Sequence, residues 1–376
     1  MRLRPAHRWA VPRVVAALLA LALVAVACGG DEAPDTEPPA EAAPADDPAD
    51  EEEEPSEAPA TDTEECEDGI TARASHHLGE ENSGHEAFLA MAEEIEDGTE
   101  GRITVEVFPA AQLGGLGEMV ESLRSGTIEL AWLDSGSISG FVPEVGALSL
   151  PFVFETDDQF HDLIDGDVGQ DMNALILEEA GVEVLFWSSV SFLYPFFAGD
   201  IEVRSPDDFE GLTMRTAATQ AFLDTMRAFG AEAVDLPLGD VYTALQTGQV
   251  DGSILPYWAY RATSLYEVSD TLTSVGVVLA NIAVGVDPQW FDGLCASDAE
   301  VVRAAAATGE RINREGWPEE EIESREYLVE QGITMVDLTD EETQRFFDAA
   351  TPVLESWEAD VGGELWERMK DELGLL

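Results

Sequence analysis

The chain has 376 residues, of which 78 are Asp or Glu and 18 are Lys or Arg, so its formal net charge at pH 7 is −60. A surface this acidic repels phosphates and anionic headgroups, which excludes nucleic acid and anionic lipid surfaces as favourable partners. The charge fits either an ordinary soluble surface or life in high salt, where a Debye length of roughly 3 Å at 1 M relieves self-repulsion. A melting temperature that stays the same between low and molar salt would contradict the second hypothesis.

The first 27 residues have the organisation of an export signal. Four arginines precede an apolar run over 14–27, which at about 14 residues is too short for an ordinary membrane span. The run ends at Ala27 and is followed directly by Cys28. This junction resembles a bacterial lipobox, although Ala25 stands where leucine is usual. The resemblance implies cleavage before Cys28, a lipid on Cys28, and a lipoprotein anchored to the membrane at the cell surface or in the periplasm. The alternative is an ordinary secretory signal with an incidental cysteine.

Residues 28–68 have the composition of a tether. They are rich in Pro, Ala, Asp and Glu and include four consecutive glutamates at 51–54. Such a segment buries too little apolar surface to offset its chain entropy, and its charges repel one another. We therefore predict a disordered acidic tether and a folded body that begins near residue 69.

Two cysteines remain if Cys28 is lipidated. Cys66 and Cys295 form an isolated pair, and in an oxidising compartment such a pair is a candidate disulfide. A disulfide would join the start of the folded body to a point far along the chain. Two separate free thiols are the alternative.

The body alternates strands with helices. This pattern predicts an α/β architecture with mostly parallel sheets, and the last third of the chain is mainly helical. The predicted strands are 70–75, 102–108, 128–133, 182–188, 212–215, 233–236 and 252–255. The predicted helices are 86–97, 117–125, 169–180, 218–229, 241–247 and 298–315, with more helix to the end.

The motifs of common enzyme classes are incomplete. The segment 136–140 does not place a serine at the centre of a nucleophile elbow, and 114–117 lacks the third glycine of a dinucleotide loop. We therefore predict no catalytic residues, no cofactor and no enzyme.

One cluster could bind a metal ion. It consists of His76, His77 and His85 with Glu80 and Glu81, whose imidazoles and carboxylates suit zinc or a related ion. Its spacing is not that of a zinc-binding helix, which favours loop residues at the mouth of a cleft. A metal-binding protein built on the three histidines stays open as an alternative function.

Arg215 is a candidate anion anchor. It ends an apolar strand, and ligands of α/β sheets collect at the carboxyl ends of strands. A guanidinium held there can bind a carboxylate through two parallel hydrogen bonds. The alternative is an arginine paired with nearby acids, such as Asp207 or Asp208.

Several blocks, in this order, resemble one known family over about 69–302. The chain is similar to the solute-binding subunits of TRAP transporters, the DctP-like extracytoplasmic proteins. The blocks are GRITVEVFP (101–109), QLG (112–114), GTIEL (126–130), FVPE (141–144), LPFVF (150–154), PDDFEGLTMR (206–215) and DVYTALQTGQVDG (240–252).

The resemblance implies a two-lobed, periplasmic-binding-protein-like α/β fold with crossing segments and a helical C-terminal region. Lobe 1 would contain 69–191 and 281–322, and lobe 2 would contain 192–280 and 323–376. The lobes would close around a small organic acid and deliver it to membrane permease subunits that run on an ion gradient. The same fold also serves ligand sensors, which is a second alternative.

The resemblance also implies that Arg215 holds the ligand carboxylate, but two features depart from the family pattern. Many members carry a second arginine about twenty residues before the first, where 192–197 has no cation here, and 253–258 is apolar and aromatic instead of polar. We therefore predict a monocarboxylate with an aliphatic or aromatic body. Tight binding of succinate or malate without binding of branched or aromatic monoacids would contradict this prediction. The candidate ligand-binding residues are Arg215, Phe152, Tyr194, Tyr257, Trp258, Ser135 and His77.

Overall fold

The computed structural model describes residues 66–217 and 219–375. The predicted signal, the lipidation site at Cys28 and nearly all of the tether lie outside this range. The strands are β1 (Ile70–Ser75), β2 (Ile103–Phe108), β3 (Leu130–Asp134), β4 (Glu183–Phe197), β5 (Thr213–Thr216), β6 (Glu232–Asp235), β7 (Gly252–Leu255), β8 (Thr271–Thr273), β9 (Val278–Val286) and β10 (Thr334–Val336).

Helices cover the faces of the sheets and form the C-terminal region, which confirms the predicted α/β class. They are α1 (Ser83–Gly98), α2 (Leu116–Arg124), α3 (Ser135–Ile138), α4 (Asp157–Asp165), α5 (Asp167–Leu175), α6 (Gln220–Ala228), α7 (Val241–Gln246), α8 (Tyr257–Ala262), α9 (Pro288–Asp292), α10 (Ala296–Glu330), α11 (Asp340–Val361) and α12 (Glu364–Leu373). Within the described ranges, no helix is both long and apolar enough to cross a membrane.

The first sheet has the strand order β2-β1-β3-β9-β4. Strands β2, β1 and β3 run parallel, whereas β9 is antiparallel to both β3 and β4. Its core contains alternating residues of the strands and the apolar face of α1, including Ala72, Ala74, Phe88 and Trp132, each at most 1% exposed. The apolar residues that recur every two positions in the strands and every 3.6 positions in α1 therefore pack together in one core.

The second sheet is built on the far half of β4. Its last four residues pair antiparallel with β7, and β7, β5 and β6 follow in parallel order. Strand β8 also pairs with β4, and β10 pairs with β8. Strand β4 thus belongs to both sheets and is longer than the predicted strand 182–188, because its apolar residues are buried by two different cores.

Helix α10 connects the regions around the two sheets. It has 35 residues, about 52 Å at the usual rise per residue, and runs well beyond the predicted helix 298–315. It packs against α1 and the first half of β4, and further along against α8, which follows β7. Pro318 lies inside it and removes one backbone hydrogen bond from the helix.

A disulfide joins the start of the described body to the beginning of α10. Cys66 and Cys295 are bonded, with their Cα atoms 5.2 Å apart across a sequence separation of 229 residues. Beside it, Arg102 Nη2 donates to Asp298 Oδ1 at 2.7 Å. The N-terminal end of the body is therefore fixed to the side of the first sheet.

Candidate functional site

A cavity of about 180 Å³ lies between elements of the two sheets. Four residues at or just beyond the carboxyl ends of parallel strands line it: His77 after β1, Ser135 after β3, Arg215 near the end of β5 and Trp258 after β7. Strands β1 and β3 are parallel in the first sheet, and β5 and β7 are parallel in the second, so the carboxyl ends of parallel strands in each sheet contribute one part of the cavity wall. Four of the seven predicted ligand-binding residues are thereby placed around one cavity.

Arg215 is a buried cation whose hydrogen bonding is incomplete. Its side chain is on the cavity wall, the residue is 4% exposed, and its Nε donates to the carbonyl oxygen of Leu236 at 2.8 Å. Within the described residues its two Nη groups have no hydrogen-bond partner and no carboxylate lies within ion-pair distance. Burial lowers the pKa of Arg215 to about 10, which leaves it protonated at neutral pH.

The acids considered as partners of Arg215 are engaged elsewhere. Asp207 Oδ2 accepts from Arg345 Nη2 at 2.9 Å, and Asp208 Oδ2 accepts from the backbone N–H groups of Arg204 and Ser205. The structure therefore does not support the alternative in which Asp207 or Asp208 neutralises Arg215.

The predicted histidine cluster is divided between two environments. His76 Nε2 lies 2.9 Å from His85 Nδ1 on the α1 side, whereas His77 lines the cavity beside Trp132, with ring centroids 6.1 Å apart and ring planes at 73°. Consecutive residues of an extended chain point in opposite directions, which explains the division. Glu80 and Glu81 are exposed.

This division bears on the proposed metal site. Among the described residues, the one group of three possible ligands within reach of each other is Cys66, Cys295 and Asp298, and its cysteines form the disulfide. Burial lowers the pKa of His77 to about 4, so its imidazole is neutral at physiological pH. His77 is thus available to a ligand as a neutral hydrogen-bonding group on the cavity wall. Among the described residues, the three histidines are not placed to bind one metal ion together.

A carboxylate also lies on the cavity wall, and sequence reasoning missed it. Asp134 caps the short helix α3 by accepting from the backbone N–H of Ser137 at 2.6 Å and from its hydroxyl at 3.0 Å. Burial raises the pKa of Asp134. Beside it, the hydroxyl oxygens of Ser135 and Ser149 are 2.5 Å apart. This part of the wall can accept or donate hydrogen bonds to a ligand hydroxyl or amine.

Most of the remaining wall is apolar. The indole of Trp258 packs on that of Trp317, with centroids 5.2 Å apart. Strands β4, β7 and β9 contribute aliphatic side chains, interrupted by Asn281 of β9, whose amide nitrogen donates to Leu148 O at 2.8 Å. The aliphatic wall residues are Leu78, Leu116, Val190, Leu193, Leu238, Ile254, Leu255, Leu279 and Ile282.

Three predicted site residues do not line this cavity. Leu193 faces it, so the next residue, Tyr194, points to the opposite side of the strand and stacks on Tyr257, with centroids 4.1 Å apart and ring planes 3° apart. Phe152 packs edge-on against Phe347 and lines, with Tyr194, a separate groove beside α11 and α12. These three candidate ligand-binding residues therefore lie outside the lining of this cavity.

Comparison with known proteins places the chain among transport proteins. Residues 74–360 match the family described as bacterial extracellular solute-binding protein, family 7 (DctP). A solute-binding protein from Verminephrobacter eiseniae is 31% identical over 284 residues, which cover 76% of this chain and 84% of that protein.

Two solved structures show the same fold. The sugar acid binding protein DctPAm from Advenella mimigardefordensis, in complex with galactonate, has a TM-score of 0.77 and 25% identity, with 82% of this chain and 99% of that chain covered. A TRAP periplasmic solute-binding protein from Bordetella bronchispeptica, with density interpreted as pantoate, has a TM-score of 0.74 and 25% identity, with 81% and 99% covered.

These findings agree with the cavity, which holds binding groups from two sheets. The family and the structural neighbours are substrate-binding transport proteins, not enzymes, and they function outside the cytoplasm. The chain belongs to the bacterial extracellular solute-binding protein family 7, the DctP family, and is a TRAP-type solute-binding protein.

Proposed function

We propose that the protein captures a monocarboxylate with an aliphatic or aromatic body and delivers it to the permease subunits of a TRAP transporter. The observation that carries this proposal is Arg215, a buried guanidinium with no carboxylate partner among the described residues, on the wall of a largely aliphatic cavity.

A ligand carboxylate would supply the hydrogen-bond acceptors and the negative charge that the guanidinium of Arg215 lacks among the described residues. A buried charge is costly unless it is paired and hydrogen-bonded, and both Nη groups lack a partner among the described residues. A carboxylate accepts two parallel hydrogen bonds from a guanidinium, and in a site shielded from water these are strong. One cation on the wall supports one carboxylate, and the acidic Asp134 on the same wall disfavours a second.

The rest of the cavity favours an apolar body on that acid. Apolar area removed from water contributes roughly 25 cal/mol per Å², so contacts with Val190, Ile254 and Trp258 would supply affinity. Pantoate, described in the Bordetella protein, has one carboxylate on a branched apolar body with hydroxyl groups. Ser135 and Asp134 offer partners for such hydroxyls.

Two lobes would close on the ligand by a hinge motion. We assign 69–191 and 281–322 to lobe 1 and 192–280 and 323–376 to lobe 2. Strand β4, which pairs in both sheets, supports a crossing near residue 192. Gly136 and Thr219, from opposite lobes, already approach closely: a Cβ atom added to Gly136 would lie 2.8 Å from Thr219 Oγ1.

The N-terminal segment would hold this receptor at the membrane. We infer a signal over 1–27, a lipid on Cys28 and an acidic tether over 28–68, which suits a family that functions outside the cytoplasm. The experiment is Cys28→Ser: a lipoprotein loses its membrane fraction in this variant, and mass spectrometry of the wild type shows a lipid-modified N-terminal cysteine. An unmodified Cys28 in the wild type would refute the assignment.

The ligand proposal is tested by calorimetry and thermal shift of the mature protein against pantoate, branched and aromatic monoacids, galacturonate, succinate and malate. We expect a monoacid to raise the melting temperature of the wild type but not of Arg215→Met. Arg227→Met, at an exposed arginine paired with Asp224, is the matched control and should respond like the wild type. Strong binding of succinate or malate alone would contradict the apolar monoacid.

A further inference from the structure

The wall of the ligand cavity carries one positive and one negative side chain. Of the residues that line it, His77, Asp134 and Arg215 are the ones that can ionise, and the lowered pKa of His77 leaves its imidazole neutral at physiological pH. Among the described residues, Asp134 forms no ion pair with Arg215 or with any other cation. The cavity therefore presents two opposite charges that do not neutralise each other by contact.

The carboxylate of Asp134 has hydrogen bonds but no cation beside it. Its Oδ1 accepts from the backbone N–H of Ser137 at 2.6 Å, and its Oδ2 accepts from the hydroxyl of the same residue at 3.0 Å. Each carboxylate oxygen has two lone pairs, so each can accept a further hydrogen bond. Burial raises the pKa of Asp134, which is the direction expected for a carboxylate that has lost water without gaining a cation.

The groups beside Asp134 also suit a cation. Trp132 and Asp134 are two positions apart in β3, so their side chains point to the same face of the strand, and both residues line the cavity. An indole attracts an ammonium group over its face. Thr219 adds a hydroxyl oxygen nearby, because a Cβ atom on Gly136 would lie 2.9 Å from Asp134 Oδ1 and 2.8 Å from Thr219 Oγ1. A carboxylate, an aromatic ring and a hydroxyl thus share one part of the wall.

We propose that the ligand is an apolar zwitterion, an acid whose carboxylate binds Arg215 and whose cationic nitrogen binds Asp134. This inference rests on the proposed function, in which Arg215 holds a ligand carboxylate, and it narrows the class of that ligand. An ordinary monoacid brings one more negative charge into the cavity and leaves Asp134 without a partner. A zwitterion supplies a partner to each side chain, so neither charge is buried uncompensated.

The positions of the two charges connect ligand recognition with closure. Arg215 lies on β5 in the proposed lobe 2, and Asp134 ends β3 in the proposed lobe 1. A ligand whose two ends bind different lobes stabilises the closed state, because both contacts form only when the lobes are together. A simple monoacid forms its charge pair with one lobe alone.

The test compares matched ligands by titration calorimetry of the mature protein. The members of a set share one carboxylate and one apolar body and differ in a single group, which is an ammonium, a hydroxyl or a hydrogen. The aromatic set is phenylalanine, phenyllactate and phenylpropanoate, and the aliphatic set is leucine, leucate and isocaproate. A third set, ε-aminocaproate and caproate, places the ammonium at the far end of the body.

In at least one set, we expect the wild type to bind the ammonium member about 30-fold more tightly than the other members, because a close buried charge pair contributes this much or more. Asp134→Asn should reduce this preference to about twofold or less, since asparagine still caps α3 but carries no charge. Asp287→Asn is the matched control, because Asp287 caps α9 in the same way and lies outside the cavity lining. It should keep the preference. Circular dichroism verifies that the variants are folded.

Two results would overturn the zwitterion: a wild type that prefers the ammonium member in none of the sets, or a preference that persists in Asp134→Asn. The wild-type comparison decides the matter even when Asp134→Asn fails to fold. Arg215→Met distinguishes this failure from that of the proposed function. Monoacids that bind the wild type and not Arg215→Met leave the proposed function standing without the zwitterion, whereas binding that does not depend on Arg215 removes both.

Discussion

Arg215→Met should raise the stability of the ligand-free protein while it strongly weakens acid binding. The guanidinium is buried and forms no ion pair with a carboxylate among the described residues, so the fold without ligand bears the cost of desolvating it. Methionine fills a similar volume with no charge. A residue whose removal stabilises the fold but weakens binding is typical of a functional site.

The magnitude follows from the pKa of Arg215, which burial lowers from 12.5 to about 10. At 1.36 kcal/mol per pKa unit, this corresponds to about 3 kcal/mol against the charged form. The substitution also leaves the carbonyl of Leu236 without its 2.8 Å hydrogen bond, which costs about 1 kcal/mol. The net gain of about 2 kcal/mol should raise the melting temperature by about 4 °C.

Binding should change in the opposite direction. Loss of a buried, charge-assisted pair with a ligand carboxylate costs about 3 kcal/mol, or about 100-fold in affinity. Calorimetry of the mature protein, first without acid and then with the acid that stabilises the wild type, measures both effects. Arg227→Met, which removes an exposed ion pair at 2.9 Å, should change stability by less than about 0.5 kcal/mol and binding not at all.

The reasoning would be refuted by an Arg215→Met protein that melts below the wild type without acid and binds the acid with wild-type affinity. That result would mean that Arg215 is paired within the fold and contributes to its stability instead of to the ligand site.

Three further predictions concern other parts of the molecule. Gly136→Ala should weaken acid binding because its Cβ would lie 2.8 Å from Thr219 Oγ1 across the cavity, whereas the Cβ of Gly117→Ala meets open space and should leave binding unchanged. Titration calorimetry measures the affinity of both variants for the acid, and equal affinities would contradict the close approach. Burial raises the pKa of Glu321 to about 7, so the stability due to its bound proton is present below its ordinary value of 4.5 and is lost, by ~3 kcal/mol, as the pH rises to about 7. Urea unfolding at about pH 5 and pH 8 should show this loss in the wild type and not in Glu321→Gln. An unfolding free energy that changes equally with pH in both proteins would count against it. Cys295→Ser should lower the unfolding free energy by about 4 to 5 kcal/mol, because the disulfide closes a separation of 229 residues, and reduction of the wild type should reproduce the loss; a variant as stable as the oxidised protein would argue against it.

Local features of the sequence predicted much of the fold. The alternation of apolar patterns indicated an α/β body, and six of its seven predicted strands have the observed positions within about two residues, within the usual error of element boundaries. Arg215 could be singled out because it follows an apolar strand, and cations are rare in this acidic chain. Cys66 and Cys295 were a candidate pair because they are the two cysteines left if Cys28 is lipidated, and the structure decides between this pairing and two free thiols by bonding them.

The orientation of the aromatic residues of β4 could not be predicted in this way. Strand β4 has register irregularities between Val184 and Phe186 and between Ser189 and Ser191, and each shifts which residues face a given side. The tertiary structure therefore decides that Leu193, and not Tyr194, faces the cavity. The irregularities depend on pairing with β9, nearly a hundred residues away along the chain.

The roles of the remaining site residues could not be predicted from the sequence for the same physical reason. Residue type and local periodicity determine which segments form strands and helices. They also show that a cationic side chain lies near the end of a strand. Asp134, Asn281 and Glu321 acquire their roles only when distant segments pack together, because burial, unpaired hydrogen-bonding groups and helix ends are properties of the assembled fold.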